Sequence, residues 1–279
     1  MAYKIIKKEI LNSQIFLMEI KAPLVAKKAE PGQFIILRID EYSERVPFTI
    51  ADFDRENGTV TIIVQVVGKT TRDLQKMNES DEILDFAGPL GMPTKLDGIK
   101  KVCVIGGGLG TAIAYPQAKK LHSLGADVTV IAGFKNTDFI ILEENLDKVS
   151  NKLIITTDDG SNGIKGFVTD RLKEELENGE KYDEVIAIGP LMMMRAVCNL
   201  TKEYNIPTTV SMNPIMIDGT GMCGGCRVKV GGKTKFACVD GPDFDGHLID
   251  WDAAINRQKM FKTHEEKSLC EGKCRVGLH

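Results

Sequence analysis

Three features of the 279-residue sequence predict a small antiparallel β-barrel, then an α/β domain built on a parallel sheet, then a short cysteine-bearing segment. The first hundred residues hold short runs rich in Ile, Val and Phe, punctuated by Gly, Pro, Asn and Asp. From about residue 98, apolar runs of strand length alternate with longer helical stretches. Five of the seven cysteines fall after residue 220.

In the first part, Lys4–Leu11, Ile15–Ile20, Phe34–Ile39, Phe48–Phe53 and Thr59–Val67 read as strands. Asn57-Gly58 is a hairpin signal, because both residues tolerate the positive φ that tight hairpin turns need. Short strands at this spacing suggest a barrel over residues 1–97. In the second part, Lys101–Ile105, Asp127–Ala132, Leu153–Thr157, Glu184–Ile188 and Thr208–Ser211 read as strands. Thr111–Leu124, Val168–Asn178 and Met192–Tyr204 read as helices between them. Such alternation makes βαβ units and a parallel sheet, here over residues 98–212. Regularity breaks from Asn213 into a Gly/Cys-rich segment, residues 213–250, and residues 251–279 read as a polar tail that faces a partner.

Composition excludes several classes. With 36 Lys+Arg against 39 Asp+Glu, the net charge of −3 argues against nucleic-acid binding. The apolar run Val60–Val67 is shorter than the about 20 residues that span a bilayer, and the charged start is no signal peptide. A cytoplasmic setting follows, where seven cysteines, an odd number, point away from a disulfide framework.

Gly106, Gly107, Gly108 and Gly110 lie between a strand and a helix. Glycines there let backbone approach a pyrophosphate, and a helix N-terminus offers free N–H groups. Thr111 stands where the dinucleotide fingerprint has its last glycine, so a ligand-free tight turn is the competing reading. Asp158-Asp159 and Gly189-Pro190 end two strands of the same sheet, the edge at which such sheets bind ligands. The two carboxylates suit ribose hydroxyls and repel a 2′-phosphate, which favours NAD over NADP. Met192, Met193 and Met194 read as helix packing.

Cys223, Cys226 and Cys238, with glycines between the first two, suit a loop around a metal centre. Asp218 stands five residues before Cys223 and supplies a fourth ligand for a [2Fe–2S] cluster. A structural zinc site completed by Asp218 or His247, and a disulfide, remain open. Cys103 and Cys198 read as buried packing residues, whereas Cys270 and Cys274 have no assigned role.

In the barrel, Arg45 can pair with a diphosphate, and Pro47, Phe48 and Thr49 open a strand whose hydroxyl and backbone can bond a planar ring. Gly68, Thr70 and Thr71 form a phosphate-friendly turn before a helix. Lys69 invites a P-loop reading, which fails because Ile63 occupies the required first glycine.

Taken together, Pro31-Gly-Gln-Phe34, Arg45–Thr49, Gly88-Pro-Leu-Gly91, Gly106–Gly110, Asp159-Gly-Ser161 and Gly189-Pro-Leu-Met192 resemble the ferredoxin–NADP⁺ reductase superfamily. Within it, the chain resembles the dihydroorotate dehydrogenase electron-transfer subunits, which carry a C-terminal [2Fe–2S] segment. Two departures sharpen this. Val46 stands where the superfamily's flavin motif has Arg, with Arg45 one position earlier, and Asp218 replaces the branch's first cluster cysteine. Both features resemble the small-subunit family of NADH-dependent reduced ferredoxin:NADP⁺ oxidoreductase, an electron-bifurcating transhydrogenase.

The resemblance implies FAD on the barrel, NAD(H) on the α/β domain and a [2Fe–2S] cluster on the C-terminal segment. It implies hydride exchange between nicotinamide and flavin, then single electrons passed to a larger iron–sulfur flavoprotein partner. Ferredoxin and NADP(H) would be reached through that partner, in a hetero-oligomer. The electron-transfer subunit of a dihydroorotate dehydrogenase or of a sulfide dehydrogenase is the alternative. A zinc-stabilised nucleotide-binding scaffold without turnover is the alternative of another class.

Overall fold

The computed structural model describes residues 2–260. The first strands are β1 (Tyr3–Ile10), β2 (Ile15–Lys21), β3 (Phe34–Arg38), β4 (Val46–Thr49), β5 (Asp52–Asp54), β6 (Thr59–Gln65), β7 (Glu82–Ile83) and β8 (Asp85–Leu90). Two helices interrupt them, α1 (Pro23–Lys28) and α2 (Lys69–Lys76). The strands form two antiparallel sheets, β5-β6-β2-β1-β7 and β4-β3-β8. A common core of Phe16, Met18, Ile20, Ile35, Leu37, Ile62 and Phe86 closes between them, each 2% exposed or less. Burying a side chain of this size contributes about 1.5–3 kcal/mol. Alternation sets this up, since the inward residues Phe16, Met18 and Ile20 recur at every second position of β2.

The expected strand Phe48–Phe53 is broken. β4 ends at Thr49 in the three-stranded sheet and β5 begins at Asp52 in the other. Ile50 and Ala51, 1% and 3% exposed, make the corner between sheets. An apolar corner keeps the hydrophobic pattern continuous, which hides the break from sequence reading.

The second part comprises β9 (Lys101–Gly107), α3 (Gly110–Ser123), β10 (Asp127–Phe134), α4 (Glu143–Asp147), β11 (Lys152–Thr157), α5 (Val168–Glu177), β12 (Glu184–Ile188), α6 (Leu191–Glu203) and β13 (Thr208–Ser211). Its sheet runs β11-β10-β9-β12-β13, all parallel. The chain first builds outward from β9 on one side and then on the other. The order therefore reverses between β9 and β12, and a crevice opens there at the carboxyl ends of the strands.

The cysteine segment is more regular than expected. β14 (Arg227–Val230) and β15 (Lys233–Phe236) form a hairpin, and α7 (Ala237–Asp240) follows. β16 (Asp243–Asp245) then adds to β13 as an antiparallel edge strand of the larger sheet. Where a tail was expected from Trp251, α8 (Trp251–Gln258) forms instead, capped by the Asp250 carboxylate, which accepts from the Ala253 N–H at 3.1 Å. Its Trp251, Ala254 and Ile255 pack on a core that also holds Phe34, Ile36, Cys226 and Cys238. Residues 261–279, with Cys270 and Cys274, lie outside the described residues. No helix among the described residues is long and apolar enough to cross a membrane.

Candidate functional site

The glycine turn ends β9 and starts α3, and the Gly189-Pro190 turn ends β12 and starts α6. They meet across the crevice. A Cβ on Gly189 would stand 3.1 Å from Gly107 Cα, and one on Gly107 would stand 2.3 Å from Met193 Sδ. Met193 thus packs between the two turns, Met194 is buried and Met192 is exposed. A Cβ on Gly110 would meet the Ile188 carbonyl oxygen at 2.3 Å, whereas Gly108 faces open space with φ +54°. Thr111, at the position of the missing fingerprint glycine, is fully buried, and its hydroxyl has no partner among the described residues. Asp158 and Asp159 stand exposed at the end of β11. Asp159 accepts from the Ser161 N–H at 2.9 Å, and Ser161 holds its carboxyl below the ordinary range.

On the first domain, Pro47 and Thr49 line a cleft of about 140 Å³ with Phe34, Ile113, Pro242 and the run from Ser211 to Pro214. Phe48 has the opposite parity on β4, and it packs against the core between the two sheets. The cleft is where the first domain, α3 and the start of the cysteine segment meet. Gly68 caps α2, and the buried Thr71 closes the cap: its hydroxyl accepts from the Val67 and Gly68 N–H groups at 3.0 and 2.9 Å. Thr70 is buried beside it. Arg45 is exposed at the start of β4. A larger open concavity, about 970 Å³ and lined by Lys4, Glu19, Asp52, Arg55 and Lys119 among others, shares no residue with these loops.

Two of the four expected ligands, Cys226 and Cys238, stand against each other. Cys226 Sγ and Cys238 Sγ are 3.2 Å apart and buried, and the Cys238 N–H donates to Cys226 Sγ at 3.4 Å. Burial, and then the Cys226 thiol, push the Cys238 thiol up. Cys223 is exposed, and its thiol is held below the ordinary range by the Gly225 N–H, then by the Asp218 N–H. Asp218 accepts through Oδ2 from the Thr220 N–H at 2.9 Å, from the Thr220 hydroxyl and from the Met222 N–H at 3.3 Å. Thr220 is the main cause that holds its carboxyl low.

Among the described residues, no three His, Cys, Asp or Glu donors converge on one point as a single metal ion requires. Cys226 and Cys238 make one close donor pair, and backbone N–H groups turn toward the sulfurs of Cys223 and Cys226, a setting suited to thiolates of an iron–sulfur centre. His247 does not join them. Its Nε2 lies 3.2 Å from Thr201 Oγ1, on the α6 side.

Sequence reading missed one group at the junction. Asp243 Oδ2 accepts from the Thr94 hydroxyl at 2.5 Å and from Gln117 Nε2 at 3.3 Å, while its Oδ1 has no partner among the described residues. Burial pushes its carboxyl up to about 6. These partners lie 149 and 126 positions away, so no local signal marks the residue.

Two family models match the chain. An FAD-binding domain covers residues 1–131, and the iron–sulfur cluster binding domain of dihydroorotate dehydrogenase B covers residues 213–250. An uncharacterized protein in the adh 3′ region of Clostridium beijerinckii is 54% identical over 277 residues, covering 96% of this chain and 94% of that protein. The dihydroorotate dehydrogenase B (NAD(+)) electron transfer subunit homolog of Thermotoga maritima is 43% identical over 265 residues, covering 95% and 93%. A chain of the NADH-dependent reduced ferredoxin-NADP oxidoreductase structure, solved for insight into flavin-based electron bifurcation, is 41% identical with a TM-score of 0.93 over 98% of each chain. The ferredoxin reductase of carbazole 1,9a-dioxygenase shares the fold alone, at TM-score 0.62 and 18% identity over 74% of this chain and 66% of that one. With a ferredoxin-reductase-like fold, an FAD-binding domain and a C-terminal iron–sulfur binding domain, the chain belongs to the family of dihydroorotate dehydrogenase B electron-transfer subunits and their homologues.

Proposed function

We propose that the chain is the FAD- and [2Fe–2S]-carrying subunit of a cytoplasmic oxidoreductase, exchanging hydride with NAD(H) and passing single electrons to a larger iron–sulfur flavoprotein subunit. The enzyme is of the NADH-dependent reduced ferredoxin:NADP⁺ type, with ferredoxin and NADP(H) reached through that partner. The observation that carries this reading is the shared junction. The β4 cleft opens onto α3, behind the nucleotide turn, and onto the Ser211–Pro214 run, which leads into the cysteine loop.

When bound, the flavin supplies hydride exchange and the cluster one-electron transfer. The protein's own work is placement. The Gly106–Gly110 turn and the Gly189-Pro190 turn admit the dinucleotide backbone, and Asp158 and Asp159 face its ribose. Pro47 and Thr49 form the ring edge of the flavin site, with Phe48 packed behind them in the core rather than at the ring, and the α2 N-terminus at Gly68, Thr70 and Thr71 takes its phosphates. Asp218, Cys223, Cys226 and Cys238 hold the cluster. Hydride transfer itself asks for no side-chain acid or base, so correct positioning is the catalytic contribution.

The test is anaerobic purification with iron, sulfide and flavin counted per chain. The expected product is coloured, is bleached by NADH, and gives a rhombic paramagnetic resonance signal on reduction. A colourless, zinc-containing protein overturns the reading. The second reading, a dihydroorotate dehydrogenase electron-transfer subunit, is favoured by the family model over residues 213–250. Co-purification separates the two: the partner is either a large iron–sulfur flavoprotein or an orotate-forming flavoprotein.

A further inference from the structure

We propose that Asp243 is a positioning residue for hydride transfer: its carboxylate ties together the three walls of the β4 cleft and so fixes how the flavin ring faces the nucleotide turn. The inference rests on the reading above, in which the ring of FAD occupies that cleft and NAD(H) the crevice at the end of β9.

One contact at each wall carries it. The first-domain wall holds Phe34, Pro47 and Thr49. Shortly before Phe34, the Pro31 carbonyl oxygen accepts from the Thr94 N–H at 3.0 Å, and the Thr94 hydroxyl donates to Asp243 Oδ2 at 2.5 Å. Gly32 makes room for this contact. It has φ +87°, and a Cβ there would lie 2.1 Å from Thr94 Oγ1 and 3.0 Å from Asp243 Oδ2. A side chain at position 32 would therefore displace the threonine, the carboxylate or both.

The second wall is α3, which lines the cleft with Ile113. Gln117 stands four residues further on, on the same helix face. Its Nε2 donates to the same Oδ2 at 3.3 Å.

The third wall is the start of the cysteine segment with the strand that returns to it. Ser211 and Pro242 both line the cleft. Ser211 pairs with Asp243 across the β13–β16 ladder, and Pro242 directly precedes Asp243. The Met212 N–H donates to the Pro242 carbonyl oxygen at 2.9 Å, which holds the two sides of this wall together.

One oxygen thus receives a donor from the first domain and a donor from α3, on a residue that the third wall carries. Hydride passes only when the reacting atoms close to about 3–3.5 Å. Relaxing one wall against another slows that step. It leaves the grip on the dinucleotide intact, because the glycine turns and the Asp158-Asp159 pair lie elsewhere.

The test compares wild type, Asp243→Ala, Asp243→Asn and Thr94→Val as full chains purified anaerobically with FAD. Stopped-flow bleaching of the flavin over a range of NADH concentrations separates the limiting rate from the dissociation constant. Asp243→Ala and Thr94→Val should each lower the limiting rate about tenfold and change the NADH dissociation constant less than about twofold. Asp243→Asn keeps an acceptor oxygen for both donors and should restore the rate to within about twofold of wild type. The double variant of Thr94→Val with Asp243→Ala should lose no more than either single change, because both remove the same contact. An unchanged limiting rate overturns the proposal, as does a loss that falls on the dissociation constant or one that asparagine fails to restore. Where Asp243→Ala does not fold, Thr94→Val decides in the same way. A flavin midpoint that moves with the rate also overturns it, since Asp243 would then act on the flavin's electronics and not on its placement. A wild-type chain that carries no flavin, or whose flavin NADH does not bleach, overturns the underlying reading, and the role of Asp243 falls with it.

Discussion

The turn after β9 and the loop from Asp218 to Cys226 are both rich in glycine, and they need it for different reasons. In the turn the issue is space. Gly110 lies so close to β12 that a methyl group would meet the Ile188 carbonyl oxygen at 2.3 Å and Gly189 Cα at 2.8 Å. Both are backbone atoms, Ile188 in the parallel ladder and Gly189 just beyond its end, and neither can step aside as a flexible side chain would. In the cysteine loop the issue is handedness. Gly221 has φ +86°, its nearest neighbour is a flexible Val239 methyl at 3.1 Å, and its N–H points to Cys238. One loop is glycine-rich so that two strand-end turns can touch. The other is glycine-rich so that its N–H groups can face sulfur.

Substitutions separate the two causes. Gly110→Ala carries the largest expected effect, about 3 kcal/mol of stability lost in urea unfolding, at the upper end of overpacking costs because backbone must move. A loss below about 1 kcal/mol would mean that the turns are not packed against each other.

Asp243, which joins the two regions through Thr94 and Gln117, comes next. Its folded carboxyl is near 6 against an ordinary 3.8, so the folded state binds the proton more tightly than the unfolded chain does. The stability this contributes is present below the ordinary carboxylate range and is lost as pH rises through about 6, on the order of 2–3 kcal/mol in total. Asp243→Asn should flatten the stability profile between roughly pH 4 and 6. An undiminished fall in that window would assign it to other groups.

Gly221→Ala should cost about 1 kcal/mol, the price of left-handed backbone with a side chain. It should also change the reduced-cluster signal, because the N–H moves from Cys238. An identical signal would remove Gly221 from the sulfur environment.

Gly108→Ala is the smallest case for stability, below about 1 kcal/mol, since φ +54° is in the left-handed well and nothing lies within 4 Å. Its effect should fall on ligand, with NADH affinity weakened about tenfold as a methyl enters the pyrophosphate approach. Unaltered affinity would make the turn a packing device only.

Much of this was legible in the residues. The parallel strands are apolar on both faces because both faces are covered, so Lys101–Ile105 and Glu184–Ile188 declare themselves without alternation. The cysteines and Asp218 are close in sequence, and local spacing reports local geometry. The β14–β15 hairpin left a readable signal in Gly231-Gly232, and α8 left one in its Asp250 cap. Both were obscured by polar composition, since α8 buries only a few anchors such as Trp251 and Ile255.

What was not legible concerns long-range neighbours. No local pattern shows that Ile50 and Ala51 turn a corner between sheets, because core residues at a corner look like core residues in a strand. Nor does any pattern place Thr94 and Gln117 on Asp243, or seat Gly219 on Ile36 and Leu90.

The sequence by itself determined the strand and helix periods, the glycine-rich turn after the first parallel strand and the clustering of Asp218 with Cys223 and Cys226, since each depends on residues within a few positions of one another. Only the tertiary structure decided that His247 turns away from the cysteines, that Cys226 and Cys238 meet in the core, and that the β13–β16 pairing ties the cysteine segment to the parallel sheet. Those outcomes depend on which surfaces the chain buries together, and burial is a property of the whole fold.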